Sequence, residues 1–101
     1  MAHVSEATRE VIRRLFDETV QEQVNQVLES EVGVNLPFTE TWTVVQFERV
    51  RFAVLKLSGG DVGKLRDAVE VAQKDWRDVL VGSGFGHSLE AHRHWARTLQ
   101  S

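Results

Sequence analysis

The stretch Asp61-Val62-Gly63-Lys64-Leu65-Arg66-Asp67-Ala68-Val69-Glu70-Val71-Ala72-Gln73-Lys74-Asp75-Trp76-Arg77-Asp78-Val79 decides the fold. Its residues Val62, Leu65, Val69, Ala72, Trp76 and Val79 fall at steps of 3, 4, 3, 4 and 3, the seam of a helix that packs lengthwise on another helix. Asp61 is placed to cap it. Arg66, Glu70, Lys74 and Asp78 alternate in sign at i,i+4 spacing on the opposite face, as a water-facing ladder does. Just upstream, Phe47, Val50, Val54 and Leu57 form a second seam, and Ser58-Gly59-Gly60 separates the two. Two seams joined by a glycine break predict an antiparallel helical hairpin over about residues 40–57 and 61–81.

The first arm carries a local conflict. Trp42-Thr43-Val44-Val45-Gln46-Phe47 is β-branched and aromatic, which favours strand. The following residues do not alternate, and the seam continues to Leu57, so the pattern favours helix, capped by Thr39 or Thr41. Val45, Phe52 and Leu55 fall off the seam. A helix apolar on more than one face lies at the centre of a bundle or in a dimer interface.

Outward from the hairpin, Ser5 is a cap and Ile12, Phe16, Val20, Val24, Val27 and Leu28 form one stripe, widened by Val11 and Leu15. This predicts a single amphipathic first helix of roughly 25 residues. Gly33 ends it. Val34-Asn35-Leu36-Pro37-Phe38 cannot continue a helix, because Pro37 lacks an amide and restricts Leu36; it reads as an extended linker with Leu36 and Phe38 against the core. Gly82-Ser83-Gly84 stops the third helix, and Ser88 starts a short last one with Leu89, His92, Trp95, Ala96 and Leu99. The expectation is one all-α domain over residues 1–101.

Composition narrows the function classes. The 101 residues include 42% hydrophobic residues and carry a net charge of −3. Neither that charge nor the pI near 5.8 suits a polyanion partner, whose binding requires clustered Lys and Arg. Arg49, Arg51 and Lys56 are close in sequence, but a helix scatters them around its circumference, which argues against nucleic acid. With no cysteine, disulfides, thiol nucleophiles and Cys-based zinc sites are excluded. No basic region precedes an apolar run at the N-terminus, and no run reaches membrane-spanning length. The setting expected from this is cytoplasmic, with no membrane partner.

Several side-chain sets invite a chemical reading. His87, Glu90 and His94 are spaced i, i+3 and i+7, so one helical face could present all three to a metal. The spacing lacks the two-His-plus-Glu pattern of a zinc protease helix, and a solvated face competes. Gly82-Ser83-Gly84-Phe85-Gly86 before a helix suggests a phosphate loop; fingerprints of that kind follow a strand, whereas a helix precedes these glycines, so a helix cap with Phe85 packed inward is favoured. Ser83, Ser88 and His92 show no nucleophile elbow. Asp75 and Asp78 flank Trp76 and Arg77, and nearby cations favour a solvated face over acid–base work. Closing the hairpin in register puts Trp76 near Trp42, as an aromatic plug or an interface anchor.

The run Ser58-Gly59-Gly60-Asp61, Leu65-Arg66, then Asp75-Trp76-Arg77-Asp78-Val79-Leu80-Val81 closing on Gly84-Phe85 covers about a third of the chain. It resembles a run found in a group of small uncharacterised bacterial helical proteins. That resemblance implies a bacterial, cytosolic, helical protein and brings no activity, cofactor or catalytic residue with it.

The reading that follows is a non-enzymatic interaction or regulatory module that self-associates, with no cofactor, as a homodimer or with another protein. Phe16, Val20, Val24, Val45 and Phe52 are its candidate interface. The alternatives are a metal-dependent or small-ligand-binding enzyme centred on His87–His94, and a nucleic-acid-associated regulator.

Overall fold

The middle of one helix, α3 (Val44–Ser58), is enclosed by the rest of the molecule. In the computed structural model, which describes residues 4–33, 35–37 and 39–99, Val50, Phe52, Ala53, Val54 and Leu55 of this helix are all fully buried. These positions cover its whole circumference, so the off-seam apolar residues mark a central helix. Around it lie α1 (Glu6–Leu15), α2 (Glu18–Glu31), α4 (Val62–Ser83) and α5 (Ala91–Thr98). The fold is all-α, with no strand among the described residues. α3 packs most extensively on α4 and also meets α1 and α5, while α2 packs on α1 and α4. No helix among the described residues is long and apolar enough to cross a membrane.

The central hairpin closes as the glycines predict. Gly59 and Gly60 take positive φ, +58° and +89°, and Asp61 caps α4 by accepting from the Lys64 amide at 3.1 Å. Gly60 lies against the end of α1, where an added Cβ would stand 2.5 Å from the Leu15 carbonyl oxygen. At the other end of the hairpin the Trp42 and Trp76 rings meet edge-on at 4.7 Å. The Trp76 indole donates to the Pro37 carbonyl at 3.0 Å, which pins the linker to α4. Leu36 is buried as expected; Val34 and Phe38 lie outside the described residues.

Three boundaries differ from the sequence expectation. The first helix is two helices, broken where Phe16 adopts extended backbone at φ −114° and ψ 146°. Asp17 caps α2, accepting from the Thr19 amide at 3.1 Å, and the Gln21 amide donates to the Phe16 carbonyl at 3.0 Å. The four-residue step from Phe16 to Val20 runs across this break, so periodicity alone conceals it. α3 starts at Val44 rather than after Thr39 or Thr41. Thr39 is buried and its hydroxyl donates to the Leu36 carbonyl at 3.0 Å, while the Gln46 side chain accepts from the Thr43 amide at 2.7 Å to form the start. α5 begins at Ala91, because the Ser88 hydroxyl accepts from the Glu90 amide in a turn. α4 itself is interrupted at Asp75, whose backbone is extended.

The cations of α3 hold helix ends together. Arg51 is 3% exposed, and its Nε donates to the carbonyl of Val32 at the end of α2, at 2.8 Å. Lys56 donates to the Ser83 carbonyl at the end of α4, at 2.8 Å. Arg49 donates to the Phe85 carbonyl at 2.6 Å. Arg51 and Lys56 each satisfy a carbonyl that a helix terminus leaves without a partner and place positive charge at the negative end of the helix dipole, while Arg49 bonds the turn just past α4. Burial holds the Arg51 guanidinium below its ordinary pKa, with Glu29 opposing.

Two stability outcomes follow. Arg51→Met should lose about 1.5–3 kcal/mol in urea denaturation, the scale of a buried hydrogen bond from a charged group. Gly60→Ala should lose at least about 1–2 kcal/mol in the same measurement, since a side chain at positive φ is strained and the new methyl meets the Leu15 carbonyl.

Candidate functional site

His92 is the most deeply buried titratable side chain of the last helix, at 0% exposure. It stands on the first turn of α5, where the apolar spacing with Trp95, Ala96 and Leu99 turns it inward. The ring contacts Phe52 edge-on at 5.0 Å and Phe85 at 6.3 Å; Trp95 covers the same two phenylalanines at 6.3 and 5.8 Å. Opposite it, Glu48 of α3 is 4% exposed. His92 Nε2 lies 3.6 Å from Glu48 Oε1, and Arg93 Nε approaches the same oxygen at 3.5 Å. Both distances exceed a good hydrogen bond. Glu48 Oε1 and both His92 nitrogens therefore have no hydrogen-bond partner among the described residues.

This arrangement is electrostatically coupled but chemically closed. The His92 ring holds the Glu48 carboxyl below the usual carboxylate range, Arg93 adds to the effect, and burial opposes it. A cleft of about 220 Å³ lined by Ala7, Glu48, Phe52, Arg93, Ala96 and Arg97 opens beside the acid. The imidazole is fully covered, so no substrate atom reaches it in this conformation, and only the acid borders the cleft.

The other candidate sets separate or have structural work. His87 lies in the turn before α5, Glu90 is the residue that precedes the helix, and His94 is exposed on it. A shared face required one helix from Ser88; with α5 starting at Ala91 the three do not converge. Among the described residues no group of three or more His, Asp or Glu side chains could hold a metal ion. Asp75 caps the second segment of α4, accepting from the Arg77 amide at 3.1 Å, and both its oxygens meet the Arg77 guanidinium at 2.9 Å. Those bonds hold its carboxyl below the ordinary range, and they leave no role for it as an acid–base partner of Asp78. Gly84 ends α4 at positive φ and the Phe85 amide donates back to the Leu80 carbonyl at 2.8 Å, with Phe85 packed inside. That is a helix cap, not an anion cradle. Ser83 is buried, its hydroxyl donating to the Leu80 carbonyl. Arg49, Arg51 and Lys56 are engaged on carbonyls inside the fold.

The expected interface residues are mostly interior. Phe16, Val24 and Phe52 are 4%, 0% and 0% exposed, Val20 is partly buried, and Val45 is 37% exposed. Phe16 is turned inward by the break after α1, and Phe52 belongs to the enclosed α3, so a second copy cannot reach them. Exposed apolar surface lies elsewhere. Leu57 of α3 and Val71 of α4, 38% and 41% exposed, border a shallow depression of about 290 Å³ floored by Ala68 and Val79 and edged by Lys64, Asp67 and Asp78. Comparison with family models, with curated proteins and with solved structures finds no match.

Sequence reasoning placed His92 on the apolar side of the last helix but gave no sign of its partner, because 44 residues separate it from Glu48. A glutamate between Phe47 and the seam residue Val50 reads as solvent-facing until α5 covers it.

The pair sets an acid limit on stability. Glu48 binds its proton less readily folded than unfolded, so it contributes stability above its ordinary pKa of 4.5. That contribution is lost as pH falls from there through the lower folded value. Glu48→Gln should flatten this acid-side slope in urea denaturation series between about pH 3 and pH 5, and an unchanged slope would refute the coupling.

Proposed function

We propose that this chain is a non-enzymatic interaction module that self-associates, in the bacterial cytosol that the resemblance of its Asp75–Val81 run implies. One observation supports the reading above the others: Leu57 and Val71 are exposed side by side around an apolar-floored depression between α3 and α4. Single exposed apolar side chains are ordinary on any protein. Two that share a depression with charged edges have the make-up of a contact surface, with an apolar centre and a polar rim. The closed state of the Glu48–His92 pair and the separation of His87, Glu90 and His94 weigh against the enzyme alternative, and the engagement of Arg49, Arg51 and Lys56 weighs against nucleic acid.

The depression is small beside the roughly 800 Å² per partner that a standard stable interface buries. Self-association is accordingly expected in the micromolar-to-millimolar range. Sedimentation velocity from about 10 μM to about 1 mM should show a rising weight-average sedimentation coefficient. A constant value for an 11.5 kDa monomer across that range would rule the reading out.

A further inference from the structure

We propose that two copies pair antiparallel along the exposed stripe of α4, about a two-fold axis at Val71. This rests on the self-associating reading above and assigns its surface and register. Lys64, Asp67, Val71, Lys74 and Asp78 recur at steps of 3, 4, 3 and 4; the first four share a face of the segment before the break at Asp75, offset from the seam that faces α3, and Asp78 follows the break. All five are exposed. Lys64, Asp67, Val71 and Asp78 line one depression, so they share a surface despite the interruption at Asp75, while Lys74 lines another beside Trp76 and Pro37.

The charges of this stripe are antisymmetric about its centre. Toward the N-terminus Val71 is followed by an acid and then a base, Asp67 and Lys64. Toward the C-terminus it is followed by a base and then an acid, Lys74 and Asp78. A two-fold axis through Val71 therefore sets Lys64 against Asp78 of the partner subunit, and Asp67 against Lys74 of the partner subunit. Symmetry repeats both pairs. A parallel pairing in register would set like charges together, which complementary interfaces avoid. Lys74 already pairs with Glu70 at 3.4 Å, but both side chains are largely exposed, so that contact holds it only weakly. Val71 meets its own copy at the axis, and that contact covers the exposed apolar centre.

The chain has no cysteine, which makes a single introduced thiol a clean reporter. Under mild oxidation Val71→Cys should form a disulfide-linked dimer, because residues on the axis meet themselves within disulfide reach. Leu89→Cys, 60% exposed in the turn after α4 and outside the depression, is the control and should cross-link much more slowly. Adding Lys64→Glu to Val71→Cys should slow cross-linking roughly tenfold or more, and adding Asp78→Lys as well should restore it. Far-ultraviolet circular dichroism checks that each variant remains folded. The inference is overturned if Val71→Cys cross-links no faster than Leu89→Cys, or if Lys64→Glu has no effect, or if the double reversal fails to rescue. When one of these occurs while wild-type sedimentation still shows self-association, the α4 pairing falls and the broader reading stands. When sedimentation shows no self-association, both fall.

Discussion

Placing α3 at the centre of the molecule creates a constraint that the rest of the structure has to meet. A helix buried around its circumference must put its polar side chains somewhere, and three of them are long cations. Arg49, Arg51 and Lys56 reach outward to the carbonyl ends of the helices that enclose them. The bonds from Arg51 and Lys56 offset the cost of placing the cations there and satisfy terminal carbonyls of α2 and α4, while Arg49 ties α3 to the turn after α4. Arg51 is the most demanding of the three, since a guanidinium at 3% exposure is tolerable only with partners. Residues that look in sequence like a dispersed basic patch are thus the ties of the bundle.

Glu48 is the fourth charged group on this helix and is less well provided for. Its carboxylate relies on an imidazole and a guanidinium that stand just beyond good hydrogen-bond distance. The aromatic rings around His92 exclude water from the imidazole and leave its nitrogens and the nearby carboxylate oxygen without partners. With no hydrogen bond formed there, α5 is held against α3 chiefly by the packing of Phe52, Phe85 and Trp95. It is also the shortest helix and meets α3 over a small area. The last helix therefore docks through aromatic rings.

What could be read from the sequence was whatever repeats. The two seams, the glycine turn, the Asp61 cap, the solvent-facing ladder and the Trp42–Trp76 meeting all follow from spacing. What could not be read was decided by one side chain competing for one backbone group. Asp17 captures the Thr19 amide and splits the first helix without disturbing its stripe, so the period stays intact while the direction changes. Thr39 is diverted into the Leu36 turn, which moves the start of α3 to Val44. The candidate sites fared according to the same distinction. The metal spacing at His87, Glu90 and His94 assumed a helix boundary that Ser88 shifts, and the Glu48–His92 pair depends on a long-range contact that no periodicity reports.

The close fit of Gly60 under the Leu15 carbonyl has a consequence for how the chain assembles as it is made. The turn at residues 59–60 and the end of α1 form one joint, yet 45 positions lie between them. At about 5–20 residues per second the ribosome takes roughly 2–9 s to cover that distance. Over that interval α2 and then α3 are made, so α1 precedes the helix it packs on, and the α4 surface that α2 meets comes later still. Early helices therefore wait on later ones, and the joint at Gly60 closes only once α3 is complete.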